Sequence, residues 1–144
     1  MKFLAWLSIL SLSLVLNTFA GEPSDDAKAI QGTWLPVKAD LHGMPMGDDF
    51  LKSITLKLDH GKYEVTAENV DKGTYTLDAT PVPKTIDITG TEGPNVGRKI
   101  PAIYELNGDT LQICYGLNGS PRPTEFKSPK GTKTLLITYH RKKD

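Results

Sequence analysis

Cysteine is almost absent. Cys114 stands alone in 144 residues, so no internal disulfide can form and the fold must rest on its core. Excess charge is missing too, with 17 Lys plus Arg against 17 Asp plus Glu. That balance gives no electrostatic reason to expect a nucleic acid or an anionic membrane surface as partner. The one long apolar run, residues 3–16, is about fourteen residues and falls short of the ~20 needed to cross a bilayer. No long helical period follows it. The three histidines, His42, His60 and His140, belong to no Ser–His–Asp nucleophile motif, and no carboxylate pair sits in an obvious site context. These absences argue against an enzyme and call for no cofactor.

What stands at the start has the make-up of a secretory signal. Lys2 precedes the apolar run, and Thr18-Phe19-Ala20 offers small residues at the two positions a signal peptidase reads. Residues 1–20 are therefore expected to be cleaved, which predicts a secreted or periplasmic protein. Gly21, not cysteine, stands directly after Ala20, so lipid anchoring is not indicated. Residues 21–144 then form one domain, with 16 basic side chains against 17 acidic ones because Lys2 leaves with the signal.

Period two dominates the rest. Ser24-Asp25-Asp26 can cap one helical turn through Ile30. A first strand runs over 33–41, with Leu35, Val37, Ala39 and Leu41 in one phase; Pro36 interrupts it and predicts a bulge or a pairing gap. Residues 40–49 read as a loop. Alternating segments follow around Leu56, Val65, Tyr75, Ile86, Tyr104, Ile113 and Ile137, which makes eight strands. The hairpin at 103–115 is the clearest, with Asn107-Gly108 placed for the two central positions of a type I′ turn. Short connections predict an all-β, eight-stranded antiparallel up-and-down barrel in preference to a sandwich. Its inward set includes Leu56, Leu58, Tyr63, Tyr75, Ile86 and Ile113.

Gly32-Thr33-Trp34 resembles the Gly-x-Trp signature of lipocalin and avidin barrels. With Gly73-Thr74-Tyr75-Thr76-Leu77-Asp78, Pro83-Lys84-Thr85-Ile86-Asp87-Ile88, the 103–111 segment, Ile113-Cys114 and Arg122-Pro123-Thr124-Glu125-Phe126, it resembles an uncharacterised family of secreted lipocalin-like domains expanded in planctomycete bacteria. The resemblance covers nearly all of the chain after the signal. It implies a lipocalin-like fold and an extracytoplasmic bacterial setting, and it assigns no ligand, reaction or site residue. It also implies that Trp34 is structural, plugging the closed end beneath an arginine, for which Arg122 and Arg141 are the candidates. Biotin binding of the avidin kind is disfavoured, since Trp34 is the only tryptophan beyond the signal.

Several residues invite chemistry. His42, Met44 and Met46, followed by Asp48 and Asp49, carry ligand types that suit Cu(I), but their spacing matches no firm site and no metal is assigned. Cys114 faces away from the side shared by Ile113 and Tyr115, and the loop 116–133, through Phe126, is expected to cover it. In a meander barrel alternate connections share an end. Loops 40–49 and 116–133 therefore fall at one open mouth with the connections near 70 and 90–99, while Trp34 marks the closed end. Met44, Met46, Arg122 and Phe126 on those loops are the candidate ligand- or partner-binding residues.

Two functions compete. One is a carrier holding a small hydrophobic ligand inside the barrel. The other is a module or inhibitor that grips an extracytoplasmic protein partner with the open-end loops. An internal cavity above ~300 Å³ favours the first, and a filled barrel with an exposed apolar loop favours the second.

Overall fold

Each alternating segment becomes a strand because one of its faces must leave water. The computed structural model describes residues 24–144; the expected signal, residues 1–20, lies outside the described residues. The elements are α1 (Asp25–Ala29), β1 (Gly32–Leu41), β2 (Met44–Pro45), α2 (Asp48–Ser53), β3 (Thr55–Asp59), β4 (Lys62–Thr66), β5 (Val70–Asp78), β6 (Lys84–Glu92), β7 (Lys99–Asn107), β8 (Thr110–Gly116) and β9 (Thr134–Arg141). All strand pairings are antiparallel and sequential from β3 to β9, and β1 pairs with both β3 and β9. Eight strands thus close into an up-and-down barrel, which leaves no open sheet edge among them. The two-residue β2 is a small arm folded back on β1.

The turns follow sequence chemistry with one exchange. His42-Gly43 and His60-Gly61 each join paired strands with positive φ at both loop positions, as a type I′ turn requires. At the β7–β8 hairpin Asn107 is instead paired with Thr110, so the loop residues are Gly108 and Asp109. Only Gly108 has positive φ, at 57°, which is the type II′ pattern rather than the expected I′.

Strand β1 departs from the expected phase. Leu35 and Val37 are 37% and 45% exposed, while Trp34 and Ala39 are buried. The register shifts between Pro36 and Lys38, so a bulge carries the inward phase from Trp34 and Pro36 to Ala39 and Leu41. Pairing with β3 also ends at Trp34. Pro36, which has no N–H to donate, therefore sits where its strand has no partner on that side.

The closed end is packed solid. Trp34 and Ile30 are fully buried, and the indole Nε1 donates to the Ile30 carbonyl at 2.8 Å. Of the two candidate arginines it is Arg141 that caps the ring. Its guanidinium stacks on the indole and donates to the carbonyls of Ala29 and Gln31, each at 2.6 Å. Helix α1 is capped by Ser24, whose hydroxyl accepts from Ala27 N. Asp26 anchors it to the wall, accepting from Lys84 Nζ at 2.7 Å and the Tyr104 hydroxyl at 2.8 Å.

Residues 117–133 form a strap over the outer wall. Arg122 pins it, donating to the Ala102 carbonyl at 2.8 Å and to Asp87 Oδ1 at 2.6 Å. Beneath it the Cys114 thiol is fully buried and donates to the Lys127 carbonyl at 3.4 Å, so the cover comes from the Lys127 backbone. Phe126 lies beside it, lining a surface depression with Leu136.

Candidate functional site

Above the packed plug the interior opens into a cavity of about 460 Å³. Its wall comes mainly from inward strand residues, including Leu56, Val65, Ile86, Ile88, Ile113 and Leu135. Trp34, Tyr104 and Leu111 are not part of the lining, because the bulky residues at the closed end fill the barrel there. Phe50, Asn69, Asn95 and Leu117 form the rim, and each belongs to a different connection. These are alternate connections along the chain, so the cavity opens at the end opposite Trp34, as meander geometry requires.

Two polar groupings interrupt the apolar wall. The hydroxyls of Tyr115 and Tyr139 meet at 2.9 Å. Burial pushes the Tyr115 phenol up to about 12 and drives Tyr139 well above the usual tyrosine range, so both keep their protons at neutral pH. Opposite charge does not enter here; the pair offers a donor and an acceptor in an apolar setting.

The second grouping centres on Asp71, an acid in the inward phase of β5 and only 8% exposed. Oδ2 accepts from the Tyr63 hydroxyl at 3.0 Å and from Asn95 Nδ2 at 2.9 Å, and Oδ1 accepts from Asn95 N at 3.0 Å. Burial and the adjacent carboxylate raise the Tyr63 phenol above its usual range, so it remains a donor. Gly73 makes this possible. A Cβ there would lie 2.6 Å from the Tyr63 ring and 1.9 Å from the Thr89 carbonyl, so a larger residue would displace the ring that holds Asp71.

The four loop residues expected to bind lie elsewhere, and none lines the cavity. Met44 is 65% exposed on the β2 arm. Met46 is half-buried, packed against the core, and its N–H donates to the Ala39 carbonyl at 2.8 Å. Arg122 borders a shallow depression of about 750 Å³ formed by the strap's own residues, with its guanidinium committed to the wall. The His42 imidazole is held by the Thr132 carbonyl at the strap's end. Among the described residues no group of three or more His, Cys, Asp or Glu is placed to hold a metal ion. No helix among them is long and apolar enough to cross a membrane.

Asp71 and Asn95 were not apparent as site residues from the sequence. The signal was nevertheless present, since Asp71 shares the phase of Gly73, Tyr75 and Leu77. An acid in an inward phase needs partners, and that need points to a site. No model of a known protein family, no curated protein and no solved structure matches this chain.

Proposed function

We propose that the protein is a secreted, lipocalin-like carrier that holds one small hydrophobic ligand in its barrel. The cavity carries this reading. It is an apolar space of about 460 Å³, within the size range of small-molecule sites, reached from one end and floored by a rigid plug. Few but convergent polar groups at Tyr115, Tyr139 and Asp71 would fix a ligand's orientation. The expected signal and the resemblance to extracytoplasmic lipocalin-like domains agree with export. The alternative, a protein-binding module, draws less support because Arg122 is tied to the barrel wall and Met46 is packed on the core.

Native mass spectrometry of protein purified from its own host tests the reading. A retained mass below about 500 Da is expected, the scale of a molecule that fits such a cavity. An unliganded mass, together with backbone shifts of lining residues that stay fixed across a panel of apolar compounds, would count against it.

A further inference from the structure

The cavity is electrically one-sided. Its lining includes Asp71 and, at the rim, Glu68, and it contains no lysine, arginine or histidine. Among the described residues Asp71 takes part in no ion pair. Its charge is held by three neutral donors, Tyr63 Oη, Asn95 N and Asn95 Nδ2. A carboxylate offers about four acceptor sites, and here Oδ1 takes only one bond. An anionic amphiphile entering this space would bring its head group towards carboxylates with no cation in the cavity lining to receive it, since Arg98 and Lys99 line only a neighbouring depression outside the rim. Burial of such like charges is strongly unfavourable.

We infer that the ligand is a hydrophobic cation, an apolar body carrying a protonated amine, with Asp71 as its counter-charge. This rests on the carrier reading and adds its ligand class. The ammonium donates to the free acceptor site of Oδ1, forming a charge-assisted hydrogen bond in a low-dielectric setting. Tyr63, bonded to the same carboxylate through its hydroxyl, brings an aromatic ring to that part of the lining. The alkyl body lies along Leu56, Ile86, Ile88 and Ile113. Tyr63 and Asn95 act as positioning residues that keep the carboxylate aimed.

The test compares three probes that share one alkyl chain: octylamine, octanol and octanoate, titrated calorimetrically into the wild-type protein at neutral pH. Octylamine should bind about tenfold or more tighter than octanol, the scale of one hydrogen bond to a charged group, with octanoate weakest. Asp71→Asn should erase the amine's advantage while octanol binding stays within about twofold. Its fold is checked by urea unfolding, and the wild-type comparison stands without it. Equal binding of all three heads, or an amine preference that survives in a folded Asp71→Asn protein, overturns the inference and leaves the carrier reading intact. Failure of all three to bind overturns both.

Discussion

The guanidinium carbon of Arg141 lies 4.2 Å from the centroid of the Trp34 ring. The last strand thus locks the first, since the same guanidinium also reaches the carbonyls of Ala29 and Gln31 and the carboxylate of Asp109. A ring this buried, with its N–H bonded and its face stacked, ties α1, β1 and β9 into one plug. Trp34→Ala should cost about 3–5 kcal/mol in urea unfolding, the range for removing a large buried aromatic. Arg141→Lys keeps the charge but loses the planar fork, and should cost about 1–2 kcal/mol. A Trp34→Ala loss below ~1 kcal/mol would show that the plug does not hold the barrel closed.

Acid should loosen the same end. Lys84 foremost, with Tyr104, holds the Asp26 carboxyl below the usual carboxylate range despite partial burial. With a folded pKa below the unfolded value, the native state binds the proton less readily than the open chain. The contribution is therefore complete above about pH 4 and fades as pH falls through the lower, folded value. Asp26→Asn should be less stable than wild type at pH 7, with the gap narrowing by pH 3. Urea midpoints at both pH values decide it; a gap that widens in acid would mean Asp26 is not stabilised by its charge.

Much of the barrel was legible because burial on one face leaves a period of two, which most of the alternating segments keep, although a register shift between Lys72 and Gly73 interrupts the β5–β6 pairing. Strand β1 hid its phase. Leu35 and Val37 are apolar yet face outward, since the plug requires Trp34 inside and the bulge restores Ala39 to the core. Helix α2 left no readable pattern: six residues make less than two turns, and its N-cap is Gly47 without a side-chain bond. The site was harder still. Loop length pointed to Met44 and Arg122, whereas the cavity is lined mainly by strand residues whose apolar character looked like simple core. Alternation says which side chains face inward and nothing about whether they meet in the middle. Only the Asp71 phase carried a trace of chemistry.

The space beside Ile88 can be tested without knowing the ligand. This residue is partly buried and lines the cavity. Ile88→Phe places a larger group into space that is already open, so stability should change by less than about 1 kcal/mol. Affinity for octylamine or octanol should fall by about tenfold, because the ring takes the volume the alkyl chain needs. A destabilisation of about 3 kcal/mol or more would mark an overpacked wall and no usable space at this position.

Finally, the strap should control the only thiol. Cys114 is fully buried, and burial raises its pKa above the ordinary thiol value, so the nucleophilic thiolate is both scarce and covered. In the native protein it should react with an aromatic disulfide reagent far more slowly than in urea, and non-reducing gels should show no covalent dimer. Arg122 is the strap's firmest tie, yet it is a third exposed, with a side-chain accessibility of 33%, and its partner Asp87 is more open still at 54%. Solvent screening limits the contribution of that pair, so Arg122→Ala should lower global stability by only about 1 kcal/mol. Local opening is more sensitive, because releasing one end of the strap uncovers Cys114 without unfolding the barrel. Thiol reactivity should therefore rise severalfold in Arg122→Ala while the urea midpoint moves little. If reactivity rises only in step with global unfolding, the strap and the barrel open as one unit, and Arg122 is not the local tie.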